Sequence, residues 1–159
     1  MHRFRYVILG VGLLALAYAG WWVFGRSLDQ EVLAAQHKFL AAVEDRDWDE
    51  IQGMLTMDYM DEAGHDRDTV MVDARKVFGS FIFLSFQTEL VQLLAAQKQA
   101  TLKMKITVEG QGLGISPMVI SQANSLKGPW LFHWQKKGRW PWDWKIIQIH
   151  HKALYGEDG

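Results

Sequence analysis

The sequence predicts an α+β domain in which three N-terminal helices pack on a curved antiparallel sheet. Helical periodicity with N-capping signals fills the first half of the chain from residue 28 onward. Alternating apolar and polar residues fill the second half, and no internal repeat interrupts this order. Helices followed by strands in this way are typical of α+β layer packing.

An apolar stretch precedes this domain. The run over residues 6–25 contains no charged side chain. A helix of about eighteen residues within it would rise about 27 Å, close to the hydrocarbon thickness of a bilayer. Arg3 and Arg5 stand before the run, and Arg26 follows it. By the positive-inside rule, this pattern predicts a single-pass membrane protein with a cytoplasmic N-terminus and a periplasmic or otherwise extracytoplasmic domain.

A cleaved secretory signal is the alternative for the same stretch. Residues 17–19 form an A-x-A site after a basic start and an apolar run. The length of the run favours an uncleaved anchor, so the lipid bilayer becomes one expected partner. The predicted organisation is a basic tip with a transmembrane anchor over residues 1–27, an α+β domain over 28–155 and a disordered tail over 156–159.

Composition narrows the possible chemistry. The chain has no cysteine, which excludes disulfides, thiol catalysis and thiolate metal sites. The net charge of -1 conceals a division, because residues 28–73 hold 13 acidic and 3 basic residues whereas residues 74–155 hold 3 acidic and 11 basic residues. Since this division coincides with the change from helices to strands, it favours two layers that attract each other over a charged partner.

Capping signals place the helices of the acidic half. Residues 27–30 form a capping box ahead of an apolar stripe at helical spacing. Residues 47–50 form a second box, which predicts a second helix. Asp66 or Asp68 can cap a third helix that ends near Phe78.

The basic half predicts strands. Residues 81–94 are rich in aromatic and aliphatic side chains, and residues 100–108 alternate as in a half-buried strand. Residues 115–128 are expected to form a loop. Residues 130–135 and 140–151 predict a final hairpin.

In this order the parts resemble the nuclear-transport-factor-2-like (NTF2-like, or SnoaL-like) superfamily. Residues 39–51 resemble its passage from the first to the second helix, and residues 55–64 resemble its segment entering the pocket. Residues 138–140 and 144–146 resemble its last hairpin, so the resemblance covers nearly all of residues 28–152. It implies a cone with a cavity at the wide end. Members include isomerases, dehydratases, cyclases, binding modules and assembly domains, so the fold alone selects no function.

The resemblance implies one candidate catalytic group, Asp61. It stands three residues before Gly64, where the ketosteroid-isomerase branch keeps its proton-shuttling aspartate. A carboxylate at the mouth of an apolar cone can act as a general base. Phe39 replaces the helix-1 tyrosine of that branch, and Tyr59 is the candidate substitute donor. The alternative is that Asp61 belongs to a solvated acidic turn.

Histidines form the second candidate group. His150 shares strand parity with Trp144, which predicts that it lines the cavity beside His133. These histidines with Asp61 could polarise a substrate or hold a metal. No HxxxH or paired-carboxylate motif is present, so neither a metal nor a cofactor is predicted. The expected lining of the ligand pocket is Trp48, Phe86, Met104, Trp144 and His150.

Tryptophans near the C-terminus predict an interaction surface. They are expected to alternate on one strand face beside a basic turn, which suits a protein partner or lipid headgroups. The alternative is that these rings fill the cone. The predicted surface residues are Trp140, Trp142, Lys136, Lys137 and Arg139. Nucleic acid is not an expected partner, because no aromatic-basic recognition motif is present.

The function predicted from the sequence is a membrane-anchored, non-catalytic binding or assembly module of the cell envelope. Its further partner would be an envelope protein, a small apolar ligand or a second copy in a homodimer through the sheet. The alternative function is a small-molecule isomerase or dehydratase with Asp61 as general base. The enzyme requires Asp61 in an open cavity with a facing donor, whereas the module does not.

Overall fold

The chain forms helices first and a sheet second, as the sequence predicts. The computed structural model describes residues 11–21 and 25–155. The elements are α1 (residues 11–21), α2 (Leu28–Asp45), α3 (Trp48–Met54), α4 (Arg67–Phe78), β1 (Phe81–Ala96), β2 (Gln99–Gly112), α5 (Ser116–Ser125), β3 (Trp130–Lys136), β4 (Trp144–His150) and α6 (Lys152–Tyr155).

The strands form one antiparallel sheet in the order β1-β2-β3-β4. β1 and β2 make a long hairpin that pairs from Phe81 with Gly112 to Ala96 with Gln99. β3 pairs with residues 99–104 of β2, and β4 pairs with β3. The predicted α+β class with an antiparallel sheet is therefore confirmed.

Three predicted helix caps are present. The Ser27 Oγ accepts from the Gln30 backbone N–H at 3.3 Å, and the Gln30 Oε1 accepts from the Ser27 backbone N–H at 3.2 Å. Asp47 caps α3, and Asp66 rather than Asp68 caps α4, at 3.1 and 2.9 Å. Each carboxylate satisfies a backbone N–H that has no partner inside the helix.

One expected loop is a helix. α5 occupies residues predicted as irregular, with Pro117 in its first turn, where a missing N–H is harmless. Its Asn124 amide accepts from the Val108 N–H at 2.8 Å and donates to the Val108 carbonyl at 2.9 Å. Asn124 thus takes the place of a neighbouring strand where β2 extends beyond β3. The sequence signal was weak because α5 has no side-chain N-cap.

The core lies between the helices and one face of the sheet. Its most deeply buried side chains include Trp134, Trp144 and Ile146. Phe39 of α2 packs edge-on against Phe132 of β3, with the ring centroids 6.3 Å apart. Complete burial of one such apolar side chain contributes about 1.5–3 kcal/mol. This face of the sheet is called the core face below, and the opposite face is called the outer face.

A β-bulge in β4 decides which residues share a face. Trp134 pairs with Ile146, and Phe132 pairs with Ile149, so one extra residue lies between the two pairs. An added residue reverses the alternation beyond it. Ile149 therefore stays with the core face, and His150 falls on the outer face. This corrects the expectation that His150 shares the face of Trp144.

The predicted transmembrane helix and single-pass membrane localisation are wrong. Residues 11–21 are helical, and the other residues of the predicted apolar run, at 6–10 and 22–24, lie outside the described residues. α2 is longer, at 18 residues, yet it carries charged side chains along its length. Within residues 11–21 and 25–155, no helix is both long and apolar enough to cross a membrane. The predicted basic tip and the predicted tail at 156–159 lie outside the described residues.

Candidate functional site

A polar cluster occupies the space between α2 and the core face. Glu31 of α2 is buried, and its Oε2 accepts from Lys136 Nζ at 2.6 Å and from Trp144 Nε1 at 3.0 Å. Gln36 is fully buried, and its Oε1 accepts from Trp134 Nε1 at 3.1 Å. We call these five residues the interior cluster. They join α2 to β3 and β4 through hydrogen bonds across the core.

The charges of the interior cluster are matched within it. A buried carboxylate is strongly unfavourable unless it is paired and hydrogen-bonded. Glu31 meets both conditions through Lys136 and Trp144. The Gln36 Nε2 has no hydrogen-bond partner among the described residues. The cluster therefore holds one buried donor that can still bind a polar group.

Sequence reasoning missed Glu31 and Gln36. Both lie on α2, where a glutamate near the N-terminus fits a solvated first turn. The sequence contained one signal that Glu31 contacts the sheet. Glu31 precedes the apolar Val32, and it belongs to the acidic half of the chain, which is expected to attract the basic strands. Its ion-pair partner, Lys136, was predicted to be a surface residue instead.

Asp61 lies in a tight turn with its side chain 9% exposed. Its Oδ1 accepts from the His65 backbone N–H at 2.8 Å, and its Oδ2 lies 2.9 Å from the His65 Nδ1. The carboxylate is thus largely buried, and both of its oxygens contact His65. His65 was not singled out from the sequence, although its i+4 spacing from Asp61 was visible there.

Tyr59 is buried in the core, so its ring points inward. It belongs to a segment that follows the edge of β4. In this segment the Thr56 N–H donates to the Ile146 carbonyl at 2.9 Å, and the Met60 N–H donates to the Ile147 carbonyl at 3.4 Å. These backbone bonds hold Tyr59 against the sheet.

His133 and His150 lie together on the outer face. The His133 Nδ1 is 3.2 Å from the Thr101 Oγ1, and the His150 Nδ1 is 2.6 Å from the Glu62 Oε2. Burial, and then the neighbouring His150, lower the pKa of His133, while Glu62 acts in the opposite direction. In the part of the chain that the structure describes, no three His, Cys, Asp or Glu side chains are grouped to hold a metal ion.

The turn between β3 and β4 carries the predicted tryptophans. The Trp140 and Trp142 rings stack with centroids 5.4 Å apart, and the Arg139 guanidinium lies 5.4 Å from the Trp140 ring centroid. Asp143 orders this turn, because its carboxylate accepts from the Trp140 N–H at 3.0 Å. A side chain at Gly138 would collide with the same carboxylate.

The predicted interaction surface is only partly assembled. Trp140, Trp142, Lys137 and Arg139 are exposed on this turn, whereas Lys136 belongs to the interior cluster. Trp144 is buried in the core. The expected alternation of three tryptophans on one strand face is absent, because β4 begins only at Trp144.

Comparison with known proteins identifies the fold. No protein-family profile and no curated protein matches the chain. Among solved structures, Bd1075 of Bdellovibrio bacteriovorus has a TM-score of 0.59 and 12% identity, covering 77% of this chain and 40% of that one. This chain thus spans less than half of that protein. An NTF2-like protein of unknown function from Pseudomonas putida has a TM-score of 0.51 and 17% identity, covering 77% and 83% of the two chains. The fold is NTF2-like.

A third solved structure is similar at the same level. A candidate calcium/calmodulin-dependent protein kinase type II association domain from Thiobacillus denitrificans has a TM-score of 0.50 and 16% identity, covering 74% of this chain and 90% of that one. At such low identities these likenesses show the fold alone. The NTF2-like resemblance seen in the sequence is confirmed at that level.

In this NTF2-like fold most of the predicted lining residues belong to the core. Met104 and Trp144 are fully buried, and Trp48 and Phe86 pack against the same core. His150 is on the outer face instead. Two further pockets, of about 370 and 380 Å³, are lined by other residues.

Proposed function

We propose that this NTF2-like domain is a non-catalytic assembly module that binds through the second half of β1. The observation that carries this proposal is the exposure of residues 87–96, which we call the exposed β1 segment. Leu90, Val91 and Leu94 are 46%, 48% and 60% exposed. Most apolar side chains in a sheet pack against a neighbour, so an exposed apolar strand is typical of a contact surface.

The backbone of β1 also favours association. β1 is the end strand of the sheet, so among the described residues no strand pairs with its other edge. Near its start this edge is covered, because the Phe86 N–H donates to the Glu44 Oε1 at 2.6 Å. Natural sheet edges are usually short or bulged, or contain proline or several charges. β1 has 16 residues, no proline and Glu89 as its single charge, and a β-bulge between Leu90 and Gln92 is the one such feature within the exposed β1 segment.

A second copy of the chain is the proposed partner. Two β1 strands related by a two-fold axis would pair antiparallel along their free edges, and each subunit would contribute Leu90 on the core face and Leu94 on the outer face. The charge of Glu89 does not oppose this contact, because Lys105 on β2 lies 3.3 Å away. The partner strand therefore meets backbone groups and apolar side chains rather than unpaired charge.

The absence of cysteine makes this proposal directly testable. Leu94→Cys introduces the chain's single thiol into the exposed β1 segment. Under mild oxidation of the full-length protein, we expect a disulfide-linked dimer, because antiparallel pairing brings the two segments together. The matched control is Val72→Cys, which places a thiol at an exposed apolar site on α4. Equal cross-linking of both variants, or none at Leu94→Cys, would contradict the proposal.

A charge substitution provides the second arm. We expect Val91→Lys combined with Leu94→Lys to convert the dimer to a monomer in light scattering, because two desolvated ammonium groups would face their copies. Val72→Lys should leave the dimer intact. A dimer that persists with both lysines would place the interface elsewhere.

The second candidate function is an isomerase or dehydratase-type enzyme that uses Asp61. The observation that favours it is the contact between the largely buried Asp61 carboxylate and the half-exposed His65 ring. A carboxylate that orients an imidazole is a recurring arrangement in general-base catalysis. This candidate comes second, because the predicted lining residues Met104 and Trp144 are fully buried in the core.

Proton exchange separates the two functions. The protein is incubated in heavy water with a panel of enolisable ketones, and deuterium incorporation is followed by NMR. An enzyme would catalyse exchange that Asp61→Asn abolishes, with Asp73→Asn as an exposed control on α4. Dimerisation through β1 without any exchange would support the assembly module alone.

A further inference from the structure

A basic pocket lies apart from both the interior cluster and the exposed β1 segment. Its volume is about 380 Å³, within the range of small-molecule sites. It opens between the end of α3, the start of α4 and the turn before β4. Its lining residues are Gly53, Leu55, Thr56, Met57, Asp58, Arg67, Lys137 and Lys145.

Cations from three separate elements converge on this pocket. Arg67 is the first residue of α4, Lys137 directly follows β3, and Lys145 belongs to β4. Residues that are distant in sequence therefore present positive charge to one space. Asp58 is the single acidic residue among the lining residues.

The contacts of these cations leave much of their charge available. The Lys145 Nζ donates to the Gly53 carbonyl at 2.5 Å, and this acceptor carries no formal charge. The Lys137 Nζ lies 3.8 Å from the Asp58 Oδ1, which is beyond hydrogen-bond distance. The Arg67 Nε lies 3.8 Å from the largely exposed Asp68. Pairs this long at the surface contribute little.

The surroundings already favour negative charge at the pocket. Thr56 lines the pocket, and its buried hydroxyl has no hydrogen-bond partner among the described residues. A hydroxyl donor that is still available and the Lys137 ammonium thus face the same space. An oxyanion from solution would meet the same donors together with Lys145 and Arg67.

We propose that the basic pocket binds the oxyanion group of a small molecule, a phosphate or a carboxylate. Lys137 and Lys145 provide compact positive charge, and the planar guanidinium of Arg67 can bind two oxygens at once. Asp58 is the internal competitor that the ligand displaces from Lys137. Failure of the proposed β1 interface leaves this proposal intact, because the two share no residue.

Titration of the full-length protein tests the pocket. Inorganic phosphate and acetate are added separately at constant ionic strength, with chloride as the balancing anion, while backbone amide signals are followed by NMR. We expect saturable shifts at residues 53–58 and at Lys137 and Lys145. A stronger response to phosphate identifies a phosphate group as the ligand, and a stronger response to acetate identifies a carboxylate. Shifts that do not saturate, or that chloride reproduces, would overturn the proposal.

Matched variants locate the binding. Lys145→Met and Lys137→Met should each weaken binding by about tenfold, since each removes a charged donor. Using both variants matters because Lys145 also contacts the end of α3. Lys103→Met, on β2 and outside the pocket, is the control. Asp58→Asn should tighten binding several-fold, because the internal competitor loses its charge. Equal weakening by Lys103→Met, or weaker binding in Asp58→Asn, would contradict the assignment.

Discussion

The interior cluster and the exposed β1 segment lie on the same sheet but differ in their side chains. The first buries polar side chains in pairs, and the second exposes apolar side chains. In the interior cluster, Glu31 has a cation and an indole N–H as partners. In the exposed β1 segment, Leu90, Val91 and Leu94 remain open to solvent. The comparison shows that the same sheet pairs buried polar side chains near α2 and leaves apolar side chains exposed on its end strand.

Burial explains why a substitution should change the free energy of unfolding more in the interior cluster than in the exposed β1 segment. Removing one partner of a buried ion pair leaves an unmatched charge, which is strongly unfavourable. An exposed apolar side chain loses little on substitution, because water already surrounds it in both the folded and the unfolded chain.

The largest effect is expected at Glu31. Glu31→Ala should lower the free energy of unfolding by about 3–5 kcal/mol, because Lys136 stays buried without a counterion. Urea denaturation measures the change. The control is Glu50→Ala, which breaks the Lys38–Glu50 pair of the same 2.6 Å length at the surface. Side-chain exposure is 12% and 9% in the buried pair and 61% and 37% in the surface pair. Equal decreases in the free energy of unfolding for Glu31→Ala and Glu50→Ala would show that burial does not make an ion pair more important for stability here.

A smaller effect is expected where α5 covers the edge of β2. Asn124→Ala removes both hydrogen bonds to the Val108 backbone and should lower the free energy of unfolding by about 1–3 kcal/mol. Ser125→Ala is the control, since its hydroxyl bonds to an exposed carbonyl in the same helix. If Asn124→Ala lowers the free energy of unfolding no more than Ser125→Ala does, the covered edge of β2 is stabilised no more than the open edge of β1.

Little change is expected at Leu94 in the dilute monomer. Leu94→Ser should alter the free energy of unfolding by about 0.5 kcal/mol or less at protein concentrations too low for association. At higher concentration, the wild-type Tm should rise with concentration, and the variant's Tm should not, because association stabilises the folded chain. A large loss in the dilute protein would mean that Leu94 belongs to the core of the monomer.

The smallest effect concerns pH. Burial and His150 lower the pKa of His133, so the unfolded chain binds more protons than the folded chain at pH values just below the ordinary pKa of about 6.5. The free energy of unfolding should therefore fall as the pH drops from 7.5 to 5.5. His133→Gln should reduce this slope, whereas His37→Gln, at an exposed position on α2, should keep it. If the slope is unchanged in His133→Gln, the pH dependence of the free energy of unfolding arises from other titratable groups.

Features that depend on near neighbours were predictable from the sequence. Ser27, Asp47 and Asp66 cap their helices through backbone groups three residues away, so the signal and its partner stand together in the chain. The alternation over residues 100–108 likewise became β2, because one half-buried face imposes a period of two. The predicted apolar transmembrane run was the exception, since no helix of the described residues can span a bilayer.

The candidate sites depended on side-chain contacts rather than on sequence motifs. Asp61 was found in a turn, but its largely buried carboxylate and its contact with His65 were not foreseen. α5 was missed because Asn124 is held by Val108 rather than by a cap of its own. In each case the deciding partner lay outside the motif that had drawn attention to the residue.

Local chain chemistry thus specifies where the helices begin, how β2 alternates and that the chain is an α+β fold. Tertiary packing specifies that Lys136 turns inward and that His150 lies on the outer face. The reason is the separation of the partners along the chain. Glu31 and Lys136 are 105 residues apart, and Gln36 and Trp134 are 98 residues apart, so no local sequence pattern indicates that they interact. The bulge in β4 acts in the same way, because one inserted residue reverses every face beyond it and leaves the sequence alternation unchanged.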